Sequence, residues 1–280
     1  MNQARPPVQL MRASLPSTST ASPLGLLKNL AGSWIGSGFN LIALPNKQNG
    51  GIFRLMLNAT HEVLDFSPIG APVPNRGSLQ DDIFLTGLTY LQRVSDKQSH
   101  AALHIEPGIW LNVPPTSDPS APATIVRQST IPHGDSLLAQ GTAFEVNGGP
   151  QIAPVSSTPT GPGTGQLGYL DPYLHSDLPP GITQAMVGNP NQLLVDAIQG
   201  QNITNTVVLE ISTTPVGGIV NIPFITQNAN ATKLDAIFWI ETVELPDGEQ
   251  FMQLQYTQTV ILNFDGIDWP HISVATMVKQ

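Results

Sequence analysis

The sequence predicts an all-β protein: an antiparallel up-and-down β-barrel of about ten strands, with a short N-terminal helix and an inserted loop and helix segment. Runs rich in β-branched and aromatic residues recur along the chain, separated by turns such as the LPDG at 245–248. A sheet of this size has two exposed edges unless it closes, and a closed barrel removes both and can hold one ligand. The predicted strands are 34–44, 53–66, 83–94, 101–113, 124–130, 136–146, 206–211, 219–225, 234–243, 251–264 and 271–278.

Composition limits the possible functions. The chain has 280 residues, 40% of them hydrophobic, which is enough for a large core. Its 11 Lys and Arg against 20 Asp and Glu give a net charge of -9, which argues against a nucleic-acid partner. The absence of Cys excludes disulfides, Cys-ligated metals and thiol nucleophiles. No apolar run approaches the ~20 residues that span a bilayer, so we expect a cytoplasmic protein without a membrane partner.

The chain divides into an arm and one domain. Residues 1–22 are rich in Pro, Ser and Thr without sustained periodicity, which predicts a flexible N-terminal arm. Residues 23–280 form the predicted barrel domain. A short helix is expected at 23–30, with Ser22 as a possible cap. We expect Trp34 to pack at the floor of the barrel under this helix.

A long segment interrupts the strand pattern. Residues 147–205 are rich in Pro and Gly over their first part, and they are predicted to be an insertion over one end of the barrel that acts as a lid. Within it, residues 189–200 have the pattern of a helix, since Asn189 can cap, Pro190 takes the first position and Gly200 ends the run.

The last predicted strand carries a candidate ligand-binding residue, His271. Alternate residues of a strand share a face, so His271, Ser273, Ala275 and Met277 point the same way. Small side chains beside an imidazole leave space for a flat ligand. A hydrogen-bonded histidine at a strand end is the competing interpretation.

His104 and His133 are the other two histidines with a chemical context. His104 shares a strand face with Glu106, so the carboxylate could orient the imidazole, although a surface pair would have the same sequence. His133 lies in a turn two residues before Asp135. His-x-Asp followed by a distant His is the pattern of a non-haem iron triad, which His175 or His271 could complete. The Arg that usually follows the distal His in 2-oxoglutarate enzymes is missing.

Four segments in order resemble one family. The LAGSWIGSG at 30–38 is similar to the Leu-x-Gly-x-Trp-x-Gly-x-Gly opening of the nitrobindin-type haem-binding β-barrels, which are distantly similar to lipocalins and fatty-acid-binding proteins. The PHISVA at 270–275 is similar to their closing strand. The LHIEPG at 103–108 and the RQST at 127–130 are similar to two internal strands. The resemblance covers most of residues 24–279 but not the insertion.

The resemblance implies a cofactor and its site. It implies one haem b, with His271 as the axial ligand to iron and with His104 or His133 as a distal acid and base. Around the haem it implies Leu103, His104, His271, Ser273 and Ala275. Leu103 stands where the family has Met. Because haem needs an apolar slot and one neutral imidazole, we expect a barrel with little internal charge.

The implied chemistry leaves alternatives. The resemblance implies ferric haem that binds nitric oxide and isomerises or scavenges peroxynitrite or peroxide, or a haem carrier without activity. A second possibility is a lipocalin-like carrier of a fatty acid or another apolar small molecule, without a metal. A third is a non-haem iron oxygenase that uses His133 and Asp135.

Overall fold

The computed structural model describes residues 23–175 and 177–280, so the predicted arm at 1–22 lies outside the described residues. Ten long strands dominate this part of the chain. The strands, including three short ones, are β1 (Gly32–Pro45), β2 (Phe53–Pro68), β3 (Val73–Asn75), β4 (Ile83–Asp96), β5 (Ala102–Val113), β6 (Thr116–Ser117), β7 (Ser120–Ala121), β8 (Thr124–Ile131), β9 (Asp135–Asn147), β10 (Asn202–Asn221), β11 (Asn230–Glu244), β12 (Gln250–Phe264) and β13 (Ile267–Lys279). The α-helices are α1 (Asp171–Leu174), α2 (Gln184–Gly188), α3 (Gln192–Ala197) and α4 (Pro223–Asn228). Single 3-10 turns lie at Gly25–Asn29, Lys47–Asn49 and Thr164–Gln166.

The sheet is a closed antiparallel barrel, which confirms the predicted fold class. Hydrogen-bonded neighbours follow the order β2, β1, β13, β12, β11, β10, β9, β8, β5, β4, and β4 pairs again with β2. β3 extends β4 outside this ring, and β6 and β7 form a separate two-stranded sheet. Closure gives each of the ten long strands a hydrogen-bonded neighbour strand on both sides. No helix among the described residues is long and apolar enough to cross a membrane.

One strand prediction needs correction. The predicted strands 206–211 and 219–225 are parts of one strand, β10, whose pairing with β9 shifts between Ser212 and Gly217. The residues between Ser212 and Gly217 are looped out of this ladder, and the sequence pattern does not distinguish such an interruption from the end of a strand. The last residues of the second prediction belong to α4, which begins at Pro223 because proline suits the first turn of a helix.

The barrel has apolar clusters inside and outside its wall. On β13, Ala275 and Met277 belong to the inner cluster, whereas Ile272 and Val274 belong to the outer one. This alternation follows from the two-residue period of a strand. At the floor of the inner cluster, Trp34 is fully buried and its Nε1 donates to the Leu30 carbonyl at 2.7 Å, as expected for packing beneath the N-terminal turn.

The insertion covers the outer wall of the barrel, which corrects its predicted place over one end. Tyr173, Met186 and Leu194 of this segment are buried in the outer cluster with Phe39 and Ile272. The outward side chains of β1 and β13 are apolar and need a second layer to remove them from water. Among the described residues, none that lines the pocket described below belongs to the insertion, so the insertion does not cover that pocket.

The helix predicted at 189–200 is shorter than expected. α3 spans Gln192–Ala197, and Asn189 does not cap it. The Asn189 Oδ1 instead accepts a hydrogen bond from the backbone N–H of Val155 at 2.9 Å. The Asn189 side chain therefore links two parts of the insertion and does not cap a helix.

Candidate functional site

The barrel wall opens between β5 and β8. Their ladder ends at the pair Gly108 and Ser129, so residues 102–107 of β5 have no partner on β8. β8 turns into β9 just beyond this point. A pocket of about 530 Å³ lies here, lined by β5, by neighbouring parts of β2 and β4, and by the turn between β8 and β9. Its volume falls in the range of small-molecule sites.

Four histidines line this pocket: His61, His100, His104 and His133. The rings of His104 and His133 are 6.4 Å apart between their centroids. The sequence singled out these two, and the structure brings them together. His61 and His100 had no evident partner in the sequence, because residues far apart in the chain meet only through strand pairing.

His271 lies on the inner face of β13 and is fixed by β1. Its Nε2 is 2.7 Å from the Oδ1 of Asn40, and the hydroxyl of Ser273 donates to the same oxygen at 3.0 Å. The geometry follows from the strand register, since Asn40 pairs directly with Ser273. A carboxamide oxygen can only accept, so Nε2 carries the proton and Nδ1 keeps its lone pair. The sequence predicts His271 as a site residue, but it does not predict its partner Asn40.

The environment of His271 keeps its imidazole neutral. Burial lowers the pKa of His271 to about 3, and the charges of His104 and His133 lower it further in the same direction. A neutral imidazole with one N–H held by an oxygen is the form that binds metals.

Glu106 orients His104. The Oε2 of Glu106 accepts a hydrogen bond from the Nε2 of His104 at 3.2 Å, which confirms that the two side chains share a face. Glu106 is fully buried, so the surface-pair interpretation is wrong. Burial alone would raise its pKa, but the Arg127 guanidinium and the hydrogen bonds from His104 and Tyr90 hold the pKa well below its usual range.

A buried ionic network occupies the barrel beside this pair, contrary to the expected low internal charge. The Nη2 of Arg127 donates to the Oε1 of Glu106 at 2.6 Å, and its Nε donates to the Tyr90 hydroxyl at 2.8 Å. The Nη1 of Arg127 donates to Gln258 at 2.7 Å. An inward charge is tolerated because the opposite charge and several hydrogen bonds accompany it.

A second carboxyl, Glu62, is also fully buried inside the barrel. It accepts hydrogen bonds from Tyr256 at 2.6 Å, from Thr60 at 2.8 Å and from Gln92 at 3.2 Å. Burial raises the pKa of Glu62, although these hydrogen bonds and the nearby His104 oppose the rise. The interior next to the histidines is therefore polar and hydrogen-bonded.

The remaining predicted residues take different places. Leu103 lines the pocket, and Ala275 is fully buried in the inner cluster. The charge of His133 acts on Asp135, so these two residues lie close together, while His175 is exposed on the insertion. Within residues 23–175 and 177–280, no three His, Cys, Asp or Glu side chains are grouped to hold a metal ion. The predicted iron triad is not assembled there.

Sequence reasoning missed Asn40, Glu62 and Arg127. Each lies on the inner face of a strand. In the sequence, a polar residue on the inner face cannot be distinguished from one on the outer face until the orientation of the strand is known. One signal was present for Glu62. It lies two residues before Leu64 and four before Phe66, both apolar, so the period-two pattern of a strand places it on the inward face.

Comparisons with known proteins find structural similarity. No family model matches the sequence, and no curated protein matches it. A solved structure, Rv2717c from M. tuberculosis, is similar with a TM-score of 0.48 and 18% sequence identity, over 93% of this chain and 98% of that chain.

Proposed function

We propose that this barrel binds one b-type haem, with His271 as the axial ligand to iron. One observation carries the proposal: a neutral imidazole has its Nε2–H committed to the Oδ1 of Asn40 at 2.7 Å. Haem iron in many proteins is held by one neutral imidazole whose other nitrogen donates to an oxygen. The resemblance of the closing strand to haem-binding barrels agrees with this assignment.

The donor chemistry around His271 fits the group. Among the described residues, its Nδ1 has no hydrogen-bond partner and is free to act as a ligand. Ser273 is small and donates to Asn40, which steadies the oxygen that orients the ring. Glu106 and Arg127 fill the interior next to His104, and the pocket of about 530 Å³ is lined by His104 and His133 but not by His271.

When bound, haem would supply an iron that takes nitric oxide or reacts with peroxide or peroxynitrite. Side chains of the protein would accept and donate the proton in this reaction. Glu106 is ionised and accepts the Nε2–H of His104, so the imidazole can take up or release a proton at Nδ1. His133, 6.4 Å away between ring centroids, is the second candidate for this role.

The test is an absorption spectrum of protein produced with ample haem. We expect a Soret band that His271→Ala abolishes and His175→Ala retains, because His175 is exposed on the insertion. Asn40→Leu should weaken haem binding by about tenfold, the usual effect of losing a residue that orients a ligand. Colourless wild-type protein, or equal spectra for both histidine variants, would reject the proposal.

The rate of peroxynitrite or peroxide turnover distinguishes a haem enzyme from a haem carrier. If the haem protein is an enzyme, it should isomerise peroxynitrite or consume peroxide faster than free haemin, and His104→Gln should lower the rate by about a hundredfold without weakening haem binding. A rate no better than that of haemin would identify a haem carrier.

A carrier of an apolar small molecule is the second candidate. The pocket of about 530 Å³ has apolar walls that include Val63, Leu103 and Ile105, which favours such a ligand. This function predicts that colourless protein binds a hydrophobic fluorescent probe and that His271→Ala does not change the affinity.

A further inference from the structure

The pocket between β5 and β8 has an unusual charge distribution. Its lining includes Arg93 and four histidines, and it includes no Asp or Glu. Acidic residues outnumber Lys and Arg by 20 to 11 in the whole chain, so a pocket without a carboxylate differs from the rest of the molecule. A concave site with only neutral and cationic polar groups raises the local concentration of anions.

The donors in this pocket are available. The Nη2 of Arg93 pairs with Asp65 at 2.5 Å, and in the described part of the chain the Nε and Nη1 atoms have no partner. Asp65 anchors the guanidinium without lining the pocket itself. The side chains of His61 and His100 likewise have no hydrogen-bond partner among the described residues. An arginine with free N–H groups is well suited to binding a carboxylate.

The rest of the wall is apolar. Val63, Val94, Leu103, Ile105 and Pro132 line the same pocket. Apolar walls with a few polar donors at one side fit a ligand that has an apolar body and one charged end. The size of the pocket, about 530 Å³, admits a body larger than a simple inorganic anion.

We propose that Arg93, with His61 and His100, forms a carboxylate-binding subsite for an amphipathic organic anion. The carboxylate can belong to a porphyrin propionate or to a free organic acid, and the subsite serves either source. This inference goes beyond the assignment of His271, because it concerns a charged end of the ligand and not the iron.

The test uses ligands that lack iron. Metal-free protoporphyrin and its dimethyl ester have the same ring, but only the acid carries carboxylates. We expect the full chain to bind the acid about tenfold more tightly than the ester, measured by porphyrin fluorescence. Arg93→Gln should remove this difference. Arg54→Gln should retain it, because Arg54 is exposed on the neighbouring strand β2 and does not line the pocket.

Two further probes identify the source of the carboxylate. Displacement of protoporphyrin by decanoate, but not by decanol, would support the subsite with a free organic acid as a ligand. Failure of decanoate to displace it, together with the preference for acid over ester, would support the subsite with porphyrin propionates as its ligands. Since none of these probes contains iron, the result does not depend on the assignment of His271.

The proposal is overturned if the acid and the ester bind equally, if Arg93→Gln and Arg54→Gln behave alike, or if no probe binds. Folding is checked by thermal unfolding of each variant. The Arg93 and Asp65 side chains are 53% and 36% exposed, so loss of their ion pair should not unfold the barrel.

Discussion

Arg127 and Glu106 form an ion pair inside the barrel. The Nη2 of Arg127 lies 2.6 Å from the Oε1 of Glu106, and the two side chains are 1% and 0% exposed. Glu106 also accepts from His104, so the pair connects the interior of the barrel with the histidine pocket. The position of His104 therefore depends on a charge that is itself held by another strand.

Breaking this pair should destabilise the protein strongly. Glu106→Gln leaves the Arg127 charge buried without its counter-charge, which typically costs about 3 to 5 kcal/mol in the free energy of unfolding. Urea unfolding measures this cost. Asp65→Asn is the control, because it removes an exposed pair with Arg93 and should cost less than about 1 kcal/mol. Equal costs for the two variants would contradict the prediction.

His271 should make the protein less stable in acid. Burial lowers its pKa from 6.5 to about 3 in the folded state, so between these values the unfolded chain binds the extra proton. The free energy of unfolding therefore falls as the pH drops through this window, by up to about 1.4 kcal/mol per pH unit from this group.

The corresponding experiment compares wild type with His271→Gln by urea unfolding at pH 7 and pH 4.5. Wild type should lose about 2 kcal/mol more than the variant over this interval. The same loss in both proteins would show that His271 can be protonated without cost in the folded state.

Glu241 should have the opposite effect of pH. Its side chain is fully buried, and within the described residues its Oε1 has no hydrogen-bond partner. Burial raises its pKa from 4.5 to about 7, although a hydrogen bond from Gln253 at 2.6 Å opposes the rise. The folded state keeps a proton that the unfolded chain releases, so stability falls as the pH rises through this window.

Glu241→Gln removes this titration. The variant should be about 2 to 3 kcal/mol more stable than wild type at pH 8 and close to it at pH 4, measured by urea unfolding. Glu249→Gln changes an exposed carboxyl and serves as the control. A variant that is less stable than wild type at pH 8 would refute the prediction.

Gly36 should not tolerate a side chain. A Cβ at this position would meet the carbonyl of Thr276 and would lie 2.6 Å from the Cα of Met277, on the paired strand β13. Gly36→Ala should cost about 3 kcal/mol, because packed backbone must move apart. Thermal unfolding compares it with Gly165→Ala, where a Cβ has open space. Similar melting temperatures would mean that β1 and β13 can separate easily.

The sequence was sufficient to predict the closed barrel. The period-two pattern of the strands and the turns between them depend on local chemistry, which a single sequence contains. β10 was divided because its looped-out residues, which precede Gly217, have the composition of a turn. The outer layer was placed wrongly, although Phe39 and Leu41 are apolar on the face opposite Trp34 and so indicated that both sides of β1 are covered.

The site was predictable only in part. His104 and Glu106 are two residues apart on one strand, so their contact follows from strand geometry alone. Asn40 meets His271 across 231 positions in the chain, and this contact depends on the register of β1 with β13. Register is a property of the whole barrel, which explains why the residue that holds His271 could not be identified from the sequence.

The interruption of the ladder after Gly108 and Ser129 has a mechanical consequence. In a continuous barrel, a bulky ligand can pass between two strands only if the main-chain hydrogen bonds between them break. At 102–107 no such bonds join β5 to β8, so a molecule that passes there would break none of the existing strand pairings. A ligand of the proposed kind would therefore have a route through the side of the barrel that requires no local unfolding.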